Sequence, residues 1–299
     1  MNISASKTRY RITPRKVSID WRASQELLWI AEDAFGSHWG NTFHYLLTQG
    51  EKFFCRALRD ALPLIKDPKL REDVEAFIAQ EAIHSAAHHQ AIKQVLKPLA
   101  VEGGLFERQN AWLFDALLVE KPFGITLPGF MQHQWLVMRV GIVAAIEHFT
   151  ATLGAYLLEE VRWDEHGANP VIADLYRWHG AEEVEHRCVA YDVYEYLGGG
   201  WPLRVLLMGL VFPLFMERQA SGILTMASHA QPAEPKGWLS FIKHWRQSAK
   251  KQNVPTGTWF IKKTLRYLSP AYHPVKEAST EMALAYLANS MAVQNAQQA

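Results

Sequence analysis

Between Gly141 and Ile146 the chain reads Gly-Ile-Val-Ala-Ala-Ile and then sets down a carboxylate, Glu147. Val140, Val143, Ala144, Ala151 and Gly154 fall on the same stripe when the segment is wound as a helix, so Glu147 belongs to the apolar face. Burying a carboxylate among such residues is costly unless a cation or a set of donors meets it. Any fold available to this chain must therefore deliver positive charge to Glu147.

Three further segments supply the company it needs. Gln80-Glu81-Ala82-Ile83-His84 and Glu182-Glu183-Val184-Glu185-His186 each carry Glu-x-x-His, and residues three apart on a helix share a face. Glu51 lies on a stripe with Leu47, Phe54, Cys55 and Leu58. Roughly one Glu-x-x-His is expected by chance at this composition, so the two motifs alone decide little. Their order decides more. Glu51 precedes Glu81/His84 by 30 positions and Glu147 precedes Glu183/His186 by 36, which reads as an internal duplication. Four inward carboxylates would oppose folding unless cations neutralise them, and two divalent metals do so while leaving open coordination positions. The candidate ligands are Glu51, Glu81, His84, Glu147, Glu183 and His186.

The surrounding pattern is helical throughout. A basic, polar arm covers 1–20, a first helical stretch runs over about 24–33, and long helices follow near 40–62, 69–96, 130–161 and 170–197. A shorter helix is expected over 105–118. The long helices form two pairs with a long crossover, the arrangement of a ferritin-like four-helix bundle over 21–200. Gly198-Gly199-Gly200 closes the bundle, and 201–299 reads as a helical C-terminal extension packing on it.

Composition narrows the function. A formal net charge of +1 gives no electrostatic case for nucleic acid. Two cysteines, Cys55 and Cys188, exclude a disulfide framework or a Cys-rich zinc module and suit a reducing cytoplasm; both are expected as small buried groups. The N-terminus lacks the apolar core of a secretion signal. The longest apolar run, Val205–Met216, falls short of the roughly 20 residues that span a bilayer. The segment 201–226 is expected to pack over the bundle or at a homodimer interface, with peripheral membrane contact as the lesser alternative.

Thirteen histidines leave more candidates than the motifs use. His88, one turn beyond His84, is placed with the metal ligands as a seventh member, and His179, one turn before Glu183, is the weaker candidate for the same role. Either can instead hold a carboxylate from behind. His148 and His89 point off the proposed face, and Thr150 is expected at a helix contact rather than in a cavity.

These residues resemble the ferritin-like di-iron carboxylate superfamily. More closely, Phe77-Ile78-Ala79-Gln80-Glu81-Ala82-Ile83-His84 with His88, and Trp178-His179-Gly180-Ala181-Glu182-Glu183-Val184-Glu185-His186 leading to Ala190-Tyr191-Asp192-Val193-Tyr194, resemble a bacterial family labelled "predicted metal-dependent hydrolase". The resemblance covers about residues 10–280. Its label implies hydrolysis, whereas a carboxylate-rich set with two imidazoles suits iron, or manganese, and reaction with dioxygen. The expectation is a di-iron oxidase or oxygenase with a small apolar substrate and an external electron donor. A hydrolase and a non-catalytic metal-binding protein are the alternatives.

Overall fold

The computed structural model describes residues 10–298; residues 1–9 of the expected arm, and Ala299, lie outside the described residues. Among the described residues there is no sheet, only an isolated bridge between Ile30 and Ala168. Four long helices form the core: α1 (Ala34–Ala61), α2 (Pro68–Ala91), and, after a crossover holding the short α3 (Gly104–Ala111), α4 (Gly129–Glu159) and α5 (Pro170–His186). Helix α6 (Val189–Tyr196) continues from α5, and α7 (Trp201–Ala227), α8 (Gly237–Lys250), α9 (Gly257–Leu268), α10 (Thr280–Leu287) and α11 (Met291–Gln298) complete the chain.

Local chemistry sets the starts of these helices. Asp33 Oδ1 accepts the Gly36 amide at 3.0 Å, Asp67 Oδ1 accepts that of Leu70 at 2.8 Å, and Asn169 accepts those of Val171 and Ile172. Pro68 and Pro170 follow two of these caps, where a missing N–H costs nothing.

Two expected helices take a different form. Over 24–33 only a 3₁₀ turn at Trp21–Ser24 forms; the chain then extends, burying Trp29 and Ile30 and using Asp33 as the α1 cap. Tertiary contacts hold that extended form, with the Trp29 carbonyl accepting from Asn169 and the Ile30 amide donating to Ser37 Oγ. The helix expected over 170–197 is broken at Arg187–Cys188. Arg187 there is committed to the carbonyls of Pro274, Val275 and Ala278 and to Thr280 Oγ1, tying the break to the C-terminal region.

The α4 helix is long and apolar enough to cross a membrane, yet most of it is buried inside the bundle. Where it meets α5 the backbones touch: a Cβ on Gly154 would lie 2.2 Å from the Gly180 carbonyl oxygen. That approach lies about two turns beyond Glu147 along α4 and one turn before Glu183 along α5, and it holds the two helices that carry these ligands together. Helix α7 packs across α1 and α4 through Leu207, Met208, Val211 and Ile223, and leaves Leu206, Leu210 and Leu214 facing outward. Its glycine at 222 lets it close on Thr42 of α1, where a Cβ would meet the Thr42 methyl at 2.2 Å. Asp174 on α5 receives Tyr286, Ser290 and the Ala292 amide, anchoring α10 and α11.

Candidate metal centre

All six residues expected from the paired motifs converge in the bundle interior, each at most 2% exposed. Ligand atoms of Glu51, His84, His179 and Glu183 lie within 4.8 Å of one another, and so do those of Glu81, Glu147, Glu183 and His186. Glu183 is common to both groups: its Oε1 is 2.8 Å from His179 Nε2 and 3.5 Å from His84 Nδ1, and its Oε2 is 3.4 Å from His186 Nε2. Glu81 Oε1 also lies between the halves, 3.1 Å from His186 Nε2 and 3.9 Å from His84 Nδ1. Glu147 Oε2 is 3.2 Å from His186 Nε2, and Glu51 Oε1 is 3.5 Å from His179 Nε2.

The structure places His179, not His88, against the cluster. His88 stands behind it, with Nε2 2.6 Å from His179 Nδ1 and Nδ1 2.8 Å from His44 Nδ1; His44 Nε2 in turn meets the Tyr176 hydroxyl at 3.1 Å. His88 and His179 are on different helices, so sequence spacing could not say which one reaches inward. Thr150, expected at a helix contact, lines the space beside the cluster, with Oγ1 3.5 Å from Glu147 Oε1. His148 points away from the cluster, as expected, and is buried with bonds to Tyr272 and to the Lys263 carbonyl, while His89 faces outward. Cys55 and Cys188 are both buried.

A surrounding layer aims the imidazoles. Glu182, beside Glu183, holds His84 Nε2 at 2.9 Å; Gln80, beside Glu81, holds His186 Nδ1 at 3.0 Å. Each motif's flanking residue thus orients the other motif's histidine. Arg15 completes the layer from the N-terminal arm, bonding Glu182 at 3.0 Å and Glu185 at 2.8 and 3.0 Å, while Gln80 Nε2 donates to Glu185 at 2.7 Å. Nothing in the spacing of the sequence points to Arg15, which lies 167 residues from Glu182.

The buried charges of the site shift one another's protonation. Burial, then the charge of Glu81, holds the Glu51 carboxyl well above the usual range, and burial with Glu183 raises Glu81 and lifts Glu147 to about 8. Burial opposes ionisation of Glu183 too, but the His186 charge, the hydrogen bond from His179 and the nearby nitrogens of His186 and His84 hold it well below the ordinary value. Burial would lower His84, yet its hydrogen bond to Glu182 and the nearby Glu183 carboxylate raise it to about 9. His186 is likewise raised against burial, by Glu183 first and then Glu147 and Glu81. Burial followed by the charge of His84 lowers His179 to about 4. Protons thus do the neutralising that cations would do.

Those protons do not satisfy the geometry. Both oxygens of Glu51 and of Glu81, Glu147 Oε2, Glu183 Oε2, His84 Nδ1 and His186 Nε2 are buried without a hydrogen-bond partner, and these are the atoms facing the cluster. Buried polar groups are rarely left so, and a concentration of orphaned carboxylate oxygens and imidazole nitrogens at one point fits a pair of metal ions. The donor set is mostly hard oxygen with imidazole, which suits iron or manganese.

The spaces at and beside the centre are apolar. A small pocket of about 40 Å³ touches His179 and Glu183 and is walled by Trp39, Phe43, Leu47, Leu153 and Leu157. Phe43, Leu47 and Thr150 are shared with a second pocket of about 80 Å³ between α1, α4 and α7. Trp39 is shared with a larger cavity of about 630 Å³ between α1, α7, α8 and α9.

An all-helical, ferritin-like bundle enclosing a dinuclear carboxylate–histidine metal-binding site is the class of protein that this fold and centre define. Within that class, the family model described as "Predicted metal-dependent hydrolase" matches residues 13–278, and the chain belongs to that family. No curated protein and no solved structure matches it.

Proposed function

We propose that the protein is a di-iron enzyme, with manganese as the substitute metal, that uses dioxygen and an external electron donor to oxidise an apolar organic molecule. One half of the centre consists of Glu51, His84 and His179, the other of Glu81, Glu147 and His186, with Glu183 between them. The observation that carries the reading is this buried four-carboxylate set whose adjoining space is walled by aromatic and aliphatic side chains. When bound, a reduced iron pair supplies two electrons to dioxygen.

The chain's own residues provide the rest. Glu182 and Gln80 fix the imidazole orientations, and Arg15 bonds both Glu182 and Glu185 and offsets part of their charge while they support the ligands. Phe77 packs edge-on against His186 at 4.6 Å and Trp178 against His84 at 5.1 Å, keeping water from the imidazoles. Trp39, Phe43 and Leu47 present the reacting carbon of an apolar substrate to the Glu183 side of the centre and exclude water from it.

Anaerobic loading with Fe(II) followed by dioxygen exposure tests the reading. Stoichiometric dioxygen uptake with a new visible absorption supports it. A colourless protein that consumes no dioxygen and cleaves esters when loaded with zinc or manganese would establish instead the hydrolysis that the family description names.

A further inference from the structure

The cavity at the junction of α1, α7, α8 and α9 is much larger than the pocket at the metals, and none of the clustered ligands lines it. Its walls include Phe35, Phe212, Trp238, Phe241, Trp245 and Phe260, and its volume of about 630 Å³ lies within the range of cavities that hold organic ligands. Trp39 forms part of its wall and part of the wall of the pocket touching His179 and Glu183, so the two spaces meet at this indole. Glu217 also borders the cavity, but its carboxylate is bonded to Arg218 at 2.6 Å. Gln219 lies in the same wall, 4% exposed, and neither its amide oxygen nor its amide nitrogen has a hydrogen-bond partner. An amide sealed in an apolar wall without a partner is unfavourable, and a ligand group that both donates and accepts would relieve it.

We propose that this cavity is the substrate pocket of the metal centre, that it takes an unbranched apolar chain bearing one uncharged hydrogen-bonding group at Gln219, and that the chain passes Trp39 to reach the metals. The proposal rests on the reading of the cluster as a centre acting on an organic substrate. It also gives the C-terminal helices a role, since α8 and α9 build the cavity wall and contribute none of the clustered ligands.

The test uses the full chain and a series of n-alcohols from hexanol to tetradecanol, competing with the fluorescent probe 1-aminoanthracene. Affinity is expected to tighten by about fourfold per methylene until the cavity is full. Ala220→Trp, which fills the cavity, is expected to abolish displacement, and Gln219→Leu to weaken every alcohol by roughly fivefold without changing the chain-length slope. Absence of a chain-length slope, or binding that survives Ala220→Trp, overturns the pocket; unchanged affinity in Gln219→Leu overturns the role of the amide. Threading is read with Mn(II)-loaded protein and an alcohol carrying ¹³C at either end. Paramagnetic broadening that is strong at one end and weak at the other supports passage past Trp39, and equal broadening refutes it. Alcohol binding that persists in a protein unable to take up Mn(II) would sink the metal reading while leaving the pocket's ligand class standing, so the two failures are distinguishable.

Discussion

Replacing Glu147 by Gln removes a charge but not a shape, and the structure predicts opposite effects on the metal-free and metal-loaded protein. In the metal-free protein burial and Glu183 lift the Glu147 carboxyl from its ordinary 4.5 to about 8. A carboxyl whose pKa is raised on folding favours the folded state least once it must ionise: the wild type matches the variant below about pH 4.5, falls behind progressively as pH rises, and reaches its full deficit above about pH 8. At pH 7 the group sits about 2.5 pH units above its unfolded value and still holds its proton in the fold, a cost on the order of 3 kcal/mol at 1.36 kcal/mol per unit. For a chain of this length that corresponds to a rise in Tm of roughly 5 °C for metal-free Glu147→Gln. Metal-loaded protein should show the reverse. Bound ions at a thousandfold excess over Kd add about 4 kcal/mol to the wild type, and the variant, short of one anionic oxygen donor, forfeits much of that gain. Thermal melts with and without Fe(II) or Mn(II), repeated from pH 5 to 9, read both effects. A variant that keeps the full metal-dependent rise in Tm, or whose metal-free Tm tracks the wild type across that range, would falsify the placement of Glu147 in the centre.

Three other outcomes are expected. His179→Ala should lower bound metal from two ions toward one by elemental analysis, whereas His88→Phe should keep both ions with affinity reduced about 10–100-fold, because His88 acts through His179; equal stoichiometry in the two variants would contradict the placement of these histidines. Metal uptake should release protons and tighten as pH rises between 6 and 9, since Glu147 and His84 give up protons held to about 8 and about 9; calorimetry in buffers of different ionisation enthalpy measures the release. Gly154→Ala should destabilise the bundle by about 3 kcal/mol or more in denaturant titration, because its Cβ meets the Gly180 backbone rather than a movable side chain, and an unchanged midpoint would show that α4 and α5 are farther apart.

The sequence by itself determined the helices and the chemistry of the centre. Period-3.6 patterning exposed the long helices, and a carboxylate directly after the apolar run Gly141–Ile146 called for a cation, so Glu51, Glu81, Glu147 and Glu183 were readable as one set before any fold was seen. Those signals are local: they depend on which face of a helix a residue occupies. What lay beyond them depends on contacts between segments distant in the chain. The segment 24–33 has helical patterning but is held extended by Ser37 and Asn169, and the last core helix breaks where Arg187 is drawn to the 274–278 carbonyls. His88 and His179 are equally spaced from their motifs; only the packing of α2 against α5 decides that one faces the metals and the other stands behind it. Arg15 and Thr150 have no motif at all. Ligand types follow from charge and periodicity along a helix, whereas their order around the centre follows from how four helices are set against one another.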